Sequence, residues 1–287
     1  WDERLERAIG EKRWADAEAV LTAAESSGLT AWTEKAWTRL SEVRKESVLG
    51  KALFLGRQKR LKEALELCEK TSETLPITAV ASVAMSVLRL NRSGIQDRDL
   101  AMVEGWLLKA RESNPNDKRI AIDLASFLNL AGRYEECEKA YRELLARKDL
   151  SDMEKALIKN NLAYILAAKG RSVSGAASEG RLQEAESLIE QAIAVIGPIG
   201  SLLDTRTVVR LGLGKNREAL SDAQQAVVEE PTPLSYFHLV EALIAVGDTP
   251  TALREWQRAC KDFGLTPEAL PPVERERFRI VAQRLEG

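Results

Sequence analysis

The sequence predicts an all-α protein, a solenoid of about seven helix pairs followed by a C-terminal capping helix. Three observations carry this. The phrase Gly180-Arg181-Leu182-Gln183-Glu184-Ala185 returns as Gly214-Lys215-Asn216-Arg217-Glu218-Ala219, and more loosely as Gly247-Asp248-Thr249-Pro250-Thr251-Ala252. Its closing alanines stand 34 and 33 residues apart, and Ala192, Ala226 and Ala259 keep the same intervals. A fixed period of this size marks stacked helical units. The helix formers Ala, Leu, Glu, Lys and Arg dominate, while runs of valine, isoleucine and aromatics of the kind strands need are missing.

The elements follow in order. Trp1, Leu5 and Ala8 mark one helix, and Trp14, Ala17, Leu21 and Ala24 at helical spacing mark its partner, ended by Ser26-Ser27-Gly28. From Ala31 to Gly56 the pattern is long, either one extended helix or two joined near Gly50. Residues 60 to 74 form its partner, which Pro76 stops. The next pair runs from Ile77 to Leu90 and from about Arg98 to Ser113, and another lies within residues 117 to 148, divided at Gly132-Arg133-Tyr134.

Ser151 and Glu154 in capping-box spacing open a further unit. Its two helices are separated by an insertion at residues 171 to 179, whose small polar residues predict a mobile loop. Two full units follow at about 200 to 230 and 233 to 263. Thr232-Pro233 and Thr249-Pro250 each place an N-cap before a proline at the first helical position. After Thr266-Pro267 and Pro271-Pro272, a half-polar helix ends near Leu285 and is expected to cover the last core face. The expected organisation is thus an array over residues 1–263 and a capping helix over 264–287.

Composition excludes several function classes. The 42 Lys and Arg against 44 Asp and Glu give a net charge of −2, without the basic field that nucleic acid requires. The longest apolar stretch, Ile77 to Leu90, carries Arg89 and is shorter than the roughly 20 residues of a membrane span. Cys68, Cys137 and Cys260 are widely spaced in expected second helices, where they read as small core residues and not as a zinc or disulfide set. A reducing, cytoplasmic setting follows. The chain begins at Trp1, which marks it as trimmed or excised.

These landmarks resemble the tetratricopeptide repeat family across nearly the whole chain. Trp1 matches the family's early aromatic, Ala125 and Ala163 its small mid-helix residue, Gly132 and Tyr134 its Gly-x-aromatic pair, and Pro76, Pro115 and Pro231 its closing proline. Thr207 stands in the small-residue position of the sixth unit, with Arg206 and Arg210 where apolar residues are expected. The resemblance implies a right-handed α-α superhelix whose first helices line a concave face that holds peptides. Carried over in register, it puts Asp123, Ser126, Asn160, Asn161, Tyr164, Asp204, Thr205, Phe237, His238 and Glu241 on that face. The family's anion-clamping series of Lys and Asn cannot be placed on three consecutive units.

Among these residues Asn161 can donate to and accept from a peptide bond, or serve in a local helix-to-helix bond. His238, the only histidine, is a ligand contact, a pH-sensitive group or a residue partly buried beside Phe237. Arg206 and Arg210, four apart, can clamp an acidic group or pair with Asp204 or nearby glutamates. Trp32, Trp37, Trp106 and Trp256 at helical spacing read as core. Gly212-Leu213-Gly214-Lys215 fails as a phosphate loop, because Asn216 stands where Ser or Thr is needed. No nucleophile, metal or cofactor set is legible. The expected function is a non-catalytic scaffold that binds a peptide or segment of a protein partner, as a monomer or weak dimer. The alternative is a regulatory or substrate-docking region of a larger multidomain enzyme.

Overall fold

The computed structural model describes residues 1–171 and 176–286. Among the described residues every regular element is helical. The helices are α1 (Asp2–Gly10), α2 (Trp14–Ser26), α3 (Thr30–Val43), α4 (Ser47–Arg57), α5 (Leu61–Thr71), α6 (Ile77–Leu90), α7 (Asp97–Ser113) and α8 (Lys118–Leu130). They continue as α9 (Tyr134–Leu145), α10 (Asp152–Arg171), α11 (Ala176–Ile196), α12 (Gly200–Gly212), α13 (Asn216–Glu229), α14 (Pro233–Ala245), α15 (Thr249–Asp262) and α16 (Arg275–Glu286). Two compact units result, Trp1–Asp123 and the chain from Leu124 onward.

Within the first unit α1 pairs with α2, α4 with α5 and α6 with α7, while α3 fits between α2 and α4 without a partner of its own. The long pattern of residues 31 to 56 therefore resolves into two helices. They part at Arg44-Lys45-Glu46, ahead of Gly50. Gly50 lies inside α4, where the buried ring of Trp37 fills the space a Cβ would need.

In the second unit α10 pairs with α11, α12 with α13 and α14 with α15, and the first helices lie side by side, α10 on α12 and α12 on α14. The recurring alanines explain how pairs can nest. Ala185, Ala192, Ala219, Ala226, Ala252 and Ala259 all have 0% exposure, because helices approach closely only where side chains are small. Thr207, in the small-residue position of α12, is equally buried and returns its hydroxyl to Leu203 O at 2.9 Å. Replacing Ala219 by Leu is expected to overpack this crossing and lower stability by about 1–3 kcal/mol, read as a drop in the circular-dichroism melting midpoint.

The turns inside the pairs share one construction. The amide of Arg13, Arg60, Arg133, Lys215 or Asp248 donates to the carbonyl five residues earlier at 2.8–3.0 Å, the long bond of a Schellman ending. The residue before each of those amides has positive φ. It is Gly132, Gly214 or Gly247 in the later units, whereas Lys12 and Lys59 take this conformation in the first. A lysine there lacks glycine's freedom, which is why the repeated Gly phrase is visible only in the later units.

Local details refine other expectations. Ser151 and Glu154 exchange capping bonds, and Thr232 caps α14 through Ser235 N. The α15 cap is Asp248, accepting from Thr251 N at 3.2 Å, so Thr249 and Pro250 already lie inside the helix. Cys68 and Cys137 are buried but Cys260 is exposed, so only the first two pack as core residues. The insertion is shorter than expected, since Arg171 ends α10 and α11 begins at Ala176; residues 172–175 lie outside the described residues. Among the described residues no helix is long and apolar enough to cross a membrane.

Candidate partner-binding groove

In the second unit α10, α12 and α14 lie side by side and bring polar side chains together. Tyr164 of α10, Asp204 of α12, and His238 and Glu241 of α14, three apart and so on one helical face, gather around a carboxylate from elsewhere in the chain. That carboxylate is Glu274, 1% exposed, in the short 3-10 turn Pro272–Glu274 ahead of α16.

The geometry is closely specified. His238 Nδ1 meets Asp204 Oδ1 at 2.7 Å, and its Nε2 stands 3.6 Å from Glu274 Oε1, an ion-pair distance. The Tyr164 hydroxyl donates to Glu274 Oε1 at 3.2 Å. Arg171 Nη2 and Arg277 Nε both donate to Glu241 Oε1, at 2.7 and 2.5 Å. One residue before Glu274, the amide of Val273 donates to the Tyr134 hydroxyl at 2.8 Å. Tyr134, the aromatic of the Gly-x-aromatic pair, thereby fixes the backbone of this segment, and Pro272 packs beside Gly132.

Burial by itself disfavours ionisation of both His238 and Glu274, and the neighbours reverse it. Asp204 and then Glu274 raise the imidazole's pKa well above its usual value, while the imidazolium and the two guanidiniums lower that of the Glu274 carboxyl. The facing atoms of His238, Glu241 and Glu274 lie within 4.8 Å of one another, a donor set that a divalent cation could use. Charge balance explains the network without one. The carboxylates of Asp204, Glu241 and Glu274 face Arg171, Arg277 and protonated His238. A cavity of about 390 Å³ adjoins Arg171, Glu241 and Arg277, with Arg284 and Val281 of α16 on its far wall.

Tyr164, Asp204, His238 and Glu241 of the sequence-predicted set are thus brought together. Asn160 and Asn161 are half-buried and bonded to each other at 3.3 Å. Thr205 returns its hydroxyl to Ser201 O, and Phe237, fully buried, packs toward Phe278 of α16 with ring centroids 6.1 Å apart. Asp123 belongs to the first unit, where it accepts from Ser82 Oγ at 2.7 Å and pairs with Arg89. Burial raises its pKa against both partners. Ser126 of α8 is partly exposed. Arg206 and Arg210 pair with acidic groups of their own chain, the buried Asp222 of α13 and the nearby glutamates Glu190 and Glu218, and not with Asp204.

Sequence reasoning missed Glu274, Arg277 and Arg171. Glu274 reads as part of the wet side of a terminal helix, and only Pro271-Pro272 before it hints at an extended strap. Beyond that strap, α16 sets Phe278 against Trp256 at a centroid distance of 4.9 Å, and Val281, Ala282 and Leu285 join the core of α14 and α15.

No protein-family model matches the sequence, and no curated protein matches it. Solved structures do. A tetratricopeptide repeat protein from Parabacteroides merdae ATCC 43184 superposes over 99% of this chain and 98% of its own, with TM-score 0.63 and 14% identity. The thermophilic TPR protein TTC0263 of Thermus thermophilus covers 65% of this chain and 92% of its own, with TM-score 0.52 and 20% identity. The anaphase-promoting-complex (APC/C) hetero-tetramer Cut9–Hcn1 matches over 98% of this chain with TM-score 0.60 and 12% identity; this chain spans 52% of the matched one. At these identities the likeness is one of fold. The helix pairs, their alanine crossings and these superpositions together give this chain the all-α fold of tetratricopeptide repeat proteins.

Proposed function

We propose that this chain is a non-catalytic protein-interaction scaffold whose inner face, in the second unit, holds an extended segment of a protein partner. The observation that carries this reading is the strap itself. Residues 270 to 274 lie in extended and 3-10 conformation against α9, α10 and α14, held by Tyr134, Tyr164 and His238. A face that seats one such segment has the shape and polar groups to seat another. The candidate contacts are Asn160, Asn161, Tyr164, Asp204, Thr205, Phe237, His238 and Glu241, with Asp123 as a separate candidate in the first unit. Recognition would rest on rigid helices and a few polar bonds, with little backbone change. A subunit of the Cut9–Hcn1 assembly shares the fold, and the name of that assembly supports a protein partner here.

The role of Asn161 is directly testable. Asn161→Ala removes a half-buried amide that makes one long bond, so stability should stay within about 1 kcal/mol of wild type. Protein captured from the native source by the immobilised wild-type chain should be lost from the variant. An identical retained set for both chains would remove Asn161 from the groove.

A further inference from the structure

We infer that the strap at residues 270 to 274 is a built-in occupant of the groove, and that the partner segment competing with it has the same chemistry: apolar, Pro-Pro, apolar, carboxylate. This deepens the scaffold reading and rests on it. The strap is matched to its surroundings along its length. Leu270 is 1% exposed and belongs to the core cluster of α14 and α15. Pro271 is buried in extended backbone, and Pro272 opens the short 3-10 turn that delivers Glu274. The Val273 amide is spent on Tyr134, and the Glu274 carboxylate is received by Tyr164 and His238.

An ordinary capping helix needs none of this. Covering the end of α15 requires only the apolar side of α16, with Phe278, Val281 and Leu285. The strap instead returns to α9 and α10, over one hundred residues earlier in sequence, to place one carboxylate against the Tyr164 hydroxyl and His238. Glu274 is the only strap residue that carries charge into the groove, so it decides what can replace the strap. A segment without a carboxylate at that position would leave protonated His238 with Asp204 as its remaining close carboxylate and would forgo the bond from the Tyr164 hydroxyl. The exposed flanks, Arg275 and Glu276, contribute nothing to this selection.

The test uses the full chain and a labelled peptide of residues Thr266 to Arg279, read by fluorescence anisotropy. Glu274→Gln keeps the size of the side chain and removes its charge, which frees the groove. The peptide should bind this variant at least tenfold more tightly than it binds wild type, and a peptide carrying Gln at position 274 should bind neither. Leu270→Ala, which loosens the strap and leaves every groove residue in place, should also raise peptide affinity over wild type. Circular dichroism establishes that each variant keeps wild-type helicity. A helical Glu274→Gln chain that fails to bind the peptide would overturn the proposal, as would equal binding of the Glu and Gln peptides. If Glu274→Gln loses its helices, Leu270→Ala decides alone, supporting the proposal by gained affinity and overturning it by unchanged affinity. Either failure leaves the scaffold reading standing on partner capture by the wild-type chain and its loss in Asn161→Ala.

Discussion

Replacing Glu241 by Ala should destabilise the second unit by about 3–5 kcal/mol, the cost of leaving a buried ion without its partner. Glu241 accepts from two guanidiniums through one oxygen, and the Arg171 side chain is only 5% exposed. Without the carboxylate, Arg171 keeps its charge buried beside Leu182 and Leu211, its hydrogen-bonded partner lost though Glu274 still attracts it, and it cannot shed that charge, since guanidinium does not deprotonate at accessible pH. Denaturant melts followed by circular dichroism measure the loss. The double variant Arg171→Leu, Glu241→Leu should recover most of it, because an apolar pair of similar size removes the desolvation penalty along with the attraction. A loss below about 1 kcal/mol for Glu241→Ala would mean that water reaches Arg171 and that the network is not sealed.

The second large effect is a dependence of stability on pH carried by His238. Its folded pKa is raised to about 10, against about 6.5 for a free imidazole. The proton is therefore held more tightly in the folded chain, and its stabilisation is complete below about pH 6.5, declines through the interval and is gone above about pH 10. The size is on the order of 3 kcal/mol for a fully buried imidazolium between two carboxylates. Glu274 has the opposite sign. Its folded pKa is lowered, so its contribution is full above about pH 4.3 and fades as the pH falls through the folded value. Thermal midpoints of wild type and His238→Gln, measured from about pH 5.5 to 10, isolate the alkaline limb. The difference between the two chains should shrink steadily with rising pH. A constant difference would show that His238 is neutral throughout.

Both effects arise at a place the sequence only half describes. His238 and Glu241 are three apart on one helix, and the register that the family resemblance implies groups Tyr164 and Asp204 with them, so four members of the network are legible once that register is applied. Glu274 is not, because a carboxylate beside Arg275 and Glu276 in a half-polar segment has no local sign of burial. Its surroundings come from α10 and α14, 110 and 36 residues away, and only folding brings them together.

The alanine intervals by themselves determined the architecture of helix pairs. A small residue is required wherever two helices cross, so every crossing leaves its mark in the chain. The same holds for the positive-φ turns where glycine occupies them, but not where Lys12 and Lys59 do, and there the period fades from view. What the tertiary structure alone decided is the destination of the last residues. Whether a terminal helix covers the end of α15 or sends a strap back along the inner face depends on which buried groups still need a partner, and that need exists only after the helices have packed. Buried, protonated His238 creates it, and Glu274 meets it.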